Sequence, residues 1–265
     1  MAHLDVPGAR LYYERRGSGP LLLMIGSPMD STGFTGLAAA MADNYTVVTY
    51  DPRGIGDSTR ENADEDITPE MQADDVHRLI AELGGGPVDY FGSSGGATVG
   101  LALVTAHPGD VRTFVGHEPP LIELLADRAE ERAAFEDIYD TYRAEGQDKA
   151  LQKFLTHIGV VAPGGDEQGW QPPPEQLARM RATNEVFFGH LIRQTGRYRP
   201  DLDALRKAST RIVVGVGATS KGQLANRTGL ALAEALGTAP VEFPGDHGGF
   251  VAQPEAFAGV LRQML

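Results

Sequence analysis

The segment Gly92–Gly96 reads Gly-Ser-Ser-Gly-Gly and matches the pattern G-x-S-x-G. It follows an apolar stretch that favours a β-strand, Val88–Phe91, and it precedes small residues that favour a helix. In this context the pattern is typical of a nucleophile elbow, a sharp turn that holds its central side chain above the sheet. We therefore predict that Ser94 is a nucleophile. A glycine-rich turn that binds a phosphate is the alternative that the motif alone leaves open.

The elements that would position this turn alternate between strands and helices. Short β-branched or apolar stretches alternate with segments of helical periodicity up to residue 118, and again after residue 207. This alternation predicts an α/β fold, with a mostly parallel twisted sheet and helices on both faces. Residues 119–207 are helical in pattern and poor in strands. We therefore predict a core formed by residues 1–118 and 208–265, with residues 119–207 inserted as a helical cap.

Two further motifs accompany the elbow. The segment Asp51–Ser58 is similar to the pattern D-x-R-G-x-G-x-S, and the loop Pro244–Phe250 follows the last predicted strand. With these motifs the chain resembles the α/β-hydrolase superfamily over nearly its whole length outside the cap. The resemblance implies that His247 is the general base, because it alone of the seven histidines lies in a loop after the final strand. We interpret the segment Asp51–Ser58 as a structural turn.

The third catalytic residue departs from the usual pattern of the superfamily. Most members carry Asp shortly after the strand that precedes the last one, whereas residues 217–221 here read Gly-Ala-Thr-Ser-Lys. A hydroxyl group cannot stabilise an imidazolium as a carboxylate does, so we expect the acid elsewhere. Glu118, which follows the preceding predicted strand, is the candidate. A structural ion pair with an arginine is the alternative role for this residue.

One branch of the superfamily combines these features. Ser93–Gly95 (Ser-Ser-Gly), His117–Pro120 (His-Glu-Pro-Pro) and Gly217–Thr219 (Gly-Ala-Thr) resemble segments of the zearalenone lactonases, and also those of many bacterial hydrolases without an assigned substrate. The resemblance implies a triad of three residues: Ser94, His247 and Glu118. It also implies a serine hydrolase that cleaves a carboxylic ester through an acyl-enzyme, with a lactone as the first candidate substrate.

The resemblance also indicates the oxyanion hole and the substrate pocket. The backbone N–H groups of Ser27 and Gly95 are expected to bind the oxyanion. The cap is expected to determine specificity, although aromatic residues in a cap also pack its helices on one another. Five residues are candidates to line the pocket: Met29, Pro119, Trp170, Phe187 and Phe188.

Composition restricts the partners and cofactors. The 265 residues carry a formal net charge of −13, which disfavours nucleic acid and anionic membranes as partners. No apolar run approaches the roughly 20 residues that span a bilayer, and the N-terminus has no signal-peptide pattern, so a cytoplasmic location is the default expectation. Cysteine is absent, which excludes disulfides, thiolate metal sites and cysteine nucleophiles. We expect no metal, no cofactor, a small-molecule ester or lactone substrate, and a monomer or homodimer.

Two other kinds of function are compatible with these residues. The unusual oxyanion segment Ser27–Met29 leaves open a cofactor-free perhydrolase or a lyase on the same fold. A ligand-binding receptor that hydrolyses slowly or not at all is the third possibility. The intact pair Ser94 and His247 argues against the receptor.

Overall fold

A computed structural model describes residues 1–159 and 173–265. These residues form nine strands: β1 (Ala2–Val6), β2 (Ala9–Arg16), β3 (Leu21–Ser27), β4 (Thr46–Tyr50), β5 (Thr59–Arg60), β6 (Val88–Ser94), β7 (Val111–His117), β8 (Arg211–Gly217) and β9 (Val241–Phe243). All lie in one sheet of order β1-β2-β4-β3-β6-β7-β8-β9, and β5 pairs with β2. The pairs that involve β2 are antiparallel, whereas every pair from β4 to β9 is parallel. The predicted mostly parallel sheet is confirmed.

The helices within the described residues connect these strands. They are α1 (Thr35–Met41), α2 (Pro69–Glu82), α3 (Gly95–Ala106), α4 (Arg128–Glu145), α5 (Gln147–His157), α6 (Pro174–Val186), α7 (Ile192–Arg197), α8 (Leu202–Lys207), α9 (Leu224–Leu236), α10 (Gly249–Ala252) and α11 (Pro254–Met264). A π-helical turn, Phe187–Leu191, joins α6 to α7. None of the helices in this part of the chain has the length and apolarity needed to cross a membrane.

Helices cover both faces of the sheet, as predicted. On one face, Leu23 and Ile25 of β3 pack in a cluster with buried residues of α2, α3 and α9. On the other face, Leu22 and Met24 pack in a second cluster with residues of α1 and α11. Successive side chains of a strand point to opposite faces, so a strand covered on both sides is apolar at consecutive positions. This explains the uninterrupted run of five apolar residues that opens β3.

The segment between β7 and β8 is helical. Helices α4, α5 and α7 and the π turn contribute Phe135, Ile138, Phe188 and Ile192 to a separate apolar cluster, which Leu224 of α9 also joins. Helix α8 is different, because it packs on α3 and α9. Its Leu205 belongs to the cluster on the sheet face that carries Leu23 and Ile25.

Candidate active site

Ser94 lies at a sharp turn between β6 and α3. Its backbone has φ +56° and ψ −126°, a conformation that a non-glycine residue adopts only under strain. The turn also brings backbones together: a Cβ atom at Gly92 would lie 2.6 Å from the carbonyl oxygen of Gly96, and one at Gly96 would lie 2.0 Å from that of Ile25. Only glycine fits at these two positions, which explains the outer residues of the motif.

Glu118 and His247 meet above the carboxyl ends of the strands. Glu118 follows β7 directly and is fully buried, with φ +50°. His247 lies in the turn between β9 and α10, and its side chain is 29% exposed. The Nδ1 atom of His247 lies 2.8 Å from Oε2 of Glu118. The exposed part of the histidine and its fixed Nδ1 leave Nε2 as the ring atom available to a substrate.

Two further groups hold the other oxygen of the Glu118 carboxylate. Oε1 accepts a hydrogen bond from the backbone N–H of Gly217 at 2.9 Å and another from the hydroxyl of Ser220. Ser220 is fully buried and lies in the segment after β8, where most of the superfamily carries Asp. Sequence reasoning assigned no role to Ser220, and the absence of a carboxylate in that segment was the signal that something else must occupy the space.

The surroundings of Glu118 keep it ionised. Burial alone would raise the pKa of its carboxyl group, but the hydrogen bond to His247, the nearby rings of His117 and His247 and the hydrogen bond from Ser220 outweigh burial and lower the pKa to about 2. An ionised carboxylate can only accept hydrogen bonds, so Nδ1 of His247 must carry the proton in this pair. The neutral ring then has its lone pair on Nε2.

A second histidine, His117, lies behind the pair. It is fully buried, and its ring is stacked on that of His247 with centroids 6.1 Å apart. Burial lowers the pKa of His117 to about 4, and the neighbouring His247 acts in the same direction, whereas Glu118 opposes the shift. His117 is therefore neutral at neutral pH and adds no competing charge to the site.

The acid next to the histidine in the chain makes a different contact. Asp246 is exposed, and its Oδ1 accepts a hydrogen bond from the backbone N–H of Gly248 at 2.9 Å. The partners of the Glu118 carboxylate within the described residues are His247, Gly217 and Ser220, with no arginine among them. The geometry therefore favours an orienting role for Glu118 over a structural ion pair.

The two predicted oxyanion donors, Ser27 and Gly95, lie beside Ser94 in the backbone. Ser27 ends β3 and is paired in register with Ser94, while Gly95 is the first residue of α3. The two backbones are close, since a Cβ atom at Gly95 would lie 2.5 Å from the carbonyl oxygen of Ser27. The Ser27 hydroxyl donates to the amide oxygen of Gln72 at 3.1 Å, which holds this strand end against α2.

The segment Asp51–Ser58 is structural, as its interpretation from the sequence proposed. Arg53 donates two hydrogen bonds to Asp75 of α2 at 2.8 and 2.6 Å, and both side chains are nearly fully buried. The carboxylate of Asp51 accepts from the backbone N–H groups of Ser31 and Asp57. These contacts hold the turn after β4 and place the segment that follows β3.

A cavity of about 400 Å³ opens at Ser94 and His247. Its floor comes from the strand ends and its roof from α4 to α7, so the wall combines both parts of the chain. Two of the predicted pocket residues, Met29 and Phe187, line it. Further lining residues that sequence reasoning did not identify are mostly apolar: Pro120, Phe135, Leu151, Phe154, Ile158, Asn184, Leu191, Ile192, Thr195, Gln223, Leu224, Ala225, Phe250 and Val251.

Two predicted pocket residues are not in the described wall, and one cannot be placed. Pro119 is not among the described lining residues, because the chain turns at Glu118 and the next proline, Pro120, lines the cavity instead. Phe188 is not among them either; it is fully buried among helices, with its ring 6.0 Å from that of Tyr142. Trp170 lies outside the described residues.

Two groups in the described part of the chain have the donor atoms to hold a metal ion. One consists of His117, Glu118 and His247, and the other of His77, His107 and Asp110; within each group the donor atoms lie within 4.8 Å of one another. In both groups the carboxylate is already bonded to a histidine. The rings of His77 and His107 are stacked 3.8 Å apart and nearly parallel, so they cannot both point lone pairs at one ion without rotating.

Comparison with known proteins places the chain in a family. Residues 19–199 match the model of the family described as alpha/beta hydrolase fold. The uncharacterized hydrolase YraK of Bacillus subtilis (strain 168) is 35% identical over 99% of this chain and 94% of its own length. A zearalenone hydrolase of Bionectria ochroleuca is 23% identical over 95% of this chain and 92% of its own length.

A solved structure shares the whole fold. The enol-lactonase from Burkholderia xenovorans LB400 superposes with a TM-score of 0.74, and the match covers 99% of each chain. Sequence identity is 19%, so this likeness concerns the fold.

Proposed function

The chain belongs to the alpha/beta hydrolase fold family, and on that premise we propose that it is a serine hydrolase of carboxylic esters with Ser94, His247 and Glu118 as its triad. The observation that carries the proposal is the 2.8 Å contact between Nδ1 of His247 and the buried carboxylate of Glu118. This contact orients Nε2 toward the cavity that also contains Ser94.

In the proposed reaction, Ser94 Oγ attacks the ester carbonyl carbon while Nε2 of His247 takes its proton. The resulting imidazolium is stabilised by the ionised Glu118. The oxyanion accepts hydrogen bonds from the N–H groups of Ser27 and Gly95. Return of the proton to the leaving alkoxide releases the alcohol and gives an acyl-enzyme, which water hydrolyses with His247 again as base. The triad itself performs every proton transfer in this sequence.

A lactone is the substrate that we favour among esters. A lactone keeps its leaving alcohol tethered to the acyl group, so one cavity must hold both parts throughout the reaction. A volume of about 400 Å³, walled by strand ends and helices together, can hold a small ligand whole. The name of the zearalenone hydrolase relative supports ester or lactone chemistry for this chain.

The helical segment between β7 and β8 is proposed to act as the cap. Its helices α4 to α7 roof the cavity, whereas α8 packs on the core helices. We accordingly place the C-terminal limit of the cap before α8, near residue 201, rather than at residue 207.

Active-site labelling and turnover together test the proposal. A fluorophosphonate probe should label the parent protein and leave Ser94→Ala unlabelled, with Ser93→Ala labelled as the matched control. A panel of p-nitrophenyl esters, small lactones and macrolactones should then show hydrolysis by the parent. Labelling without turnover of any member would favour the receptor, and labelling of Ser94→Ala would refute the assignment of the nucleophile.

A further inference from the structure

Away from the triad, the cavity contains three neutral polar side chains. Asn184 of α6, Thr195 of α7 and Gln223 at the start of α9 all line it, and each is half-buried. Among the described residues of the wall, none is Asp, Glu, Lys or Arg, and His247 is the only titratable group. The rest of the roof is apolar, so these three side chains are the hydrogen-bonding groups that a bound molecule would meet there.

These polar groups are not engaged by the part of the chain that the structure describes. Their neighbours Glu185 and Gln194 bond to the side chains of Tyr142 and Asp66, whereas Asn184 and Thr195 make no such side-chain bond there.

Helical threonines in this protein differ in how their hydroxyls are used. Those at 105, 141, 156 and 228 donate to the carbonyl four residues earlier, whereas Thr98 and Thr183 make no such bond within the described residues. Thr195 belongs to the second group and also lines the cavity, so no group in the described part of the chain competes with a ligand for its hydroxyl.

Their arrangement has a polar group at each end of an apolar strip. Asn184, Phe187, Leu191 and Thr195 follow one another at spacings of three, four and four residues along α6, the π turn and α7, and all four line the cavity. Residues at these spacings share one helical face. A ligand that lies along this face would meet apolar side chains in the middle and a hydrogen-bonding group toward either end.

We infer that the substrate is an uncharged ester whose apolar frame carries neutral hydrogen-bonding groups, hydroxyl or carbonyl, remote from the scissile bond, and that Asn184, Thr195 and Gln223 are the residues that select for them. The inference rests on the proposed ester hydrolysis. Against the described wall a charged group would be buried without a counter-ion, which is strongly unfavourable, whereas a hydroxyl or carbonyl can bond to these three side chains. A purely apolar substrate would leave the same side chains without partners.

Matched p-nitrophenyl esters test this selectivity. Plain acyl chains of six, eight and ten carbons are compared with the same chains bearing a terminal hydroxyl, and with the same chains bearing a terminal carboxylate. In the parent, we expect at least one hydroxyl ester to match or exceed its plain counterpart in kcat/KM. A hydroxyl that was buried without a hydrogen-bond partner would instead lower kcat/KM by ~10- to 100-fold. Every carboxylate ester should be slower than its plain counterpart by about 100-fold or more.

Single variants then identify the residues responsible. Thr195→Val, Asn184→Leu and Gln223→Met each remove hydrogen-bonding capacity and approximately keep the volume. At least one should lower the ratio of hydroxyl-ester to plain-ester kcat/KM about 10-fold. Thr156→Val is the matched control, because Thr156 is exposed on α5 and its hydroxyl bonds to the helix backbone; its ratio should not change.

The outcomes separate this inference from the proposed reaction. If the parent hydrolyses the plain esters but disfavours every hydroxyl ester by more than 10-fold, or if the three variants change both ester types by the same factor, the inference is wrong and the hydrolase stands. Efficient turnover of the carboxylate esters would also overturn it. If no ester is hydrolysed and Ser94 is not labelled, the proposed function itself fails.

Discussion

Glu118→Gln removes the charge that orients His247 while keeping the length of the side chain. The carboxylate accepts hydrogen bonds on both oxygens, from His247 on one side and from Gly217 and Ser220 on the other. A glutamine amide has one oxygen and one NH₂ group, so it cannot accept on both sides. We expect kcat to fall by roughly 10³- to 10⁴-fold, as when the acid of a serine-protease triad is neutralised. KM should change little, because Glu118 lies behind the ring and is not among the described residues that line the cavity.

The same substitution has a predictable effect on acid stability. A fall in the pKa of Glu118 from 4.5 to about 2 on folding corresponds to about 3 kcal/mol of folding free energy at neutral pH. Because the folded pKa is the lower one, this stabilisation is present above pH 4.5 and disappears as the pH falls toward 2. The Glu118→Gln variant lacks this contribution to the folding free energy, whereas the other carboxylates titrate alike in both proteins.

Urea unfolding at pH 6, 5, 4 and 3 measures this difference, alongside kcat for one activated ester. Between pH 6 and pH 3 the parent should lose about 2 kcal/mol more unfolding free energy than Glu118→Gln. Asp246→Asn is the control, because the Asp246 side chain bonds to the backbone of Gly248. This variant should retain most of the parent activity. A Glu118→Gln enzyme within about tenfold of the parent in kcat, or an equal pH dependence of unfolding in the two proteins, would refute this reasoning. A loss of orders of magnitude in Asp246→Asn alone would identify Asp246 as the acid.

Three further outcomes are expected. Ser94→Ala should lower kcat by on the order of 10⁴-fold or more, whereas Ser93→Ala should retain most of the parent kcat. Kinetics on one p-nitrophenyl ester measure both values, and a larger loss in Ser93→Ala would show that the nucleophile has been assigned to the wrong serine. Ser220→Ala should lower kcat by roughly tenfold with KM nearly unchanged, because Glu118 loses a hydrogen-bond donor but keeps its charge. An unchanged kcat would show that Ser220 only packs against its neighbours and does not support catalysis. Exhaustive treatment with a chelator should leave ester hydrolysis intact, and activity that disappears and returns with one added metal would contradict the serine mechanism.

Much of the fold follows from local patterns, because parallel strands buried on both faces are apolar and β-branched at consecutive positions. The strand before the elbow was predicted over Val88–Phe91 and extends over Val88–Ser94, and the helix predicted after it is α3. Strand β1 and helix α1 were not predicted. Residues 2–6 contain only a short alternation, and they form a strand because they pair antiparallel with β2 across a tight turn at Gly8. Such tertiary pairing is not visible in a window of five residues.

The pocket could be predicted only as a region. Phe187 and Phe188 are adjacent in the chain, and neighbours on a helix point about 100° apart, so the sequence does not decide which of the pair lines the cavity. The π turn that contains both residues changes the helical phase, and nothing in the composition of the segment indicates that change. The same reasoning applies to Pro119 and Pro120, because the backbone turn at Glu118 decides which proline reaches the cavity.

The position of Glu118, the proposed acid, follows from the topology of the sheet. Strands β7 and β8 are parallel neighbours, with His117 opposite Gly215, and the loop that carries His247 follows β9 on the far side of β8. A carboxylate at the end of either strand can therefore approach Nδ1 from the same edge of the sheet. From β7 the side chain must reach across one additional strand, about 4.8 Å. The extra methylene of glutamate and the turn of the backbone at Glu118 shorten that gap. The small residues after β8 leave room for the carboxylate, and the Gly217 N–H and the Ser220 hydroxyl bind it there. A segment that supplies donors instead of an acid is thus what a triad acid on the preceding strand requires.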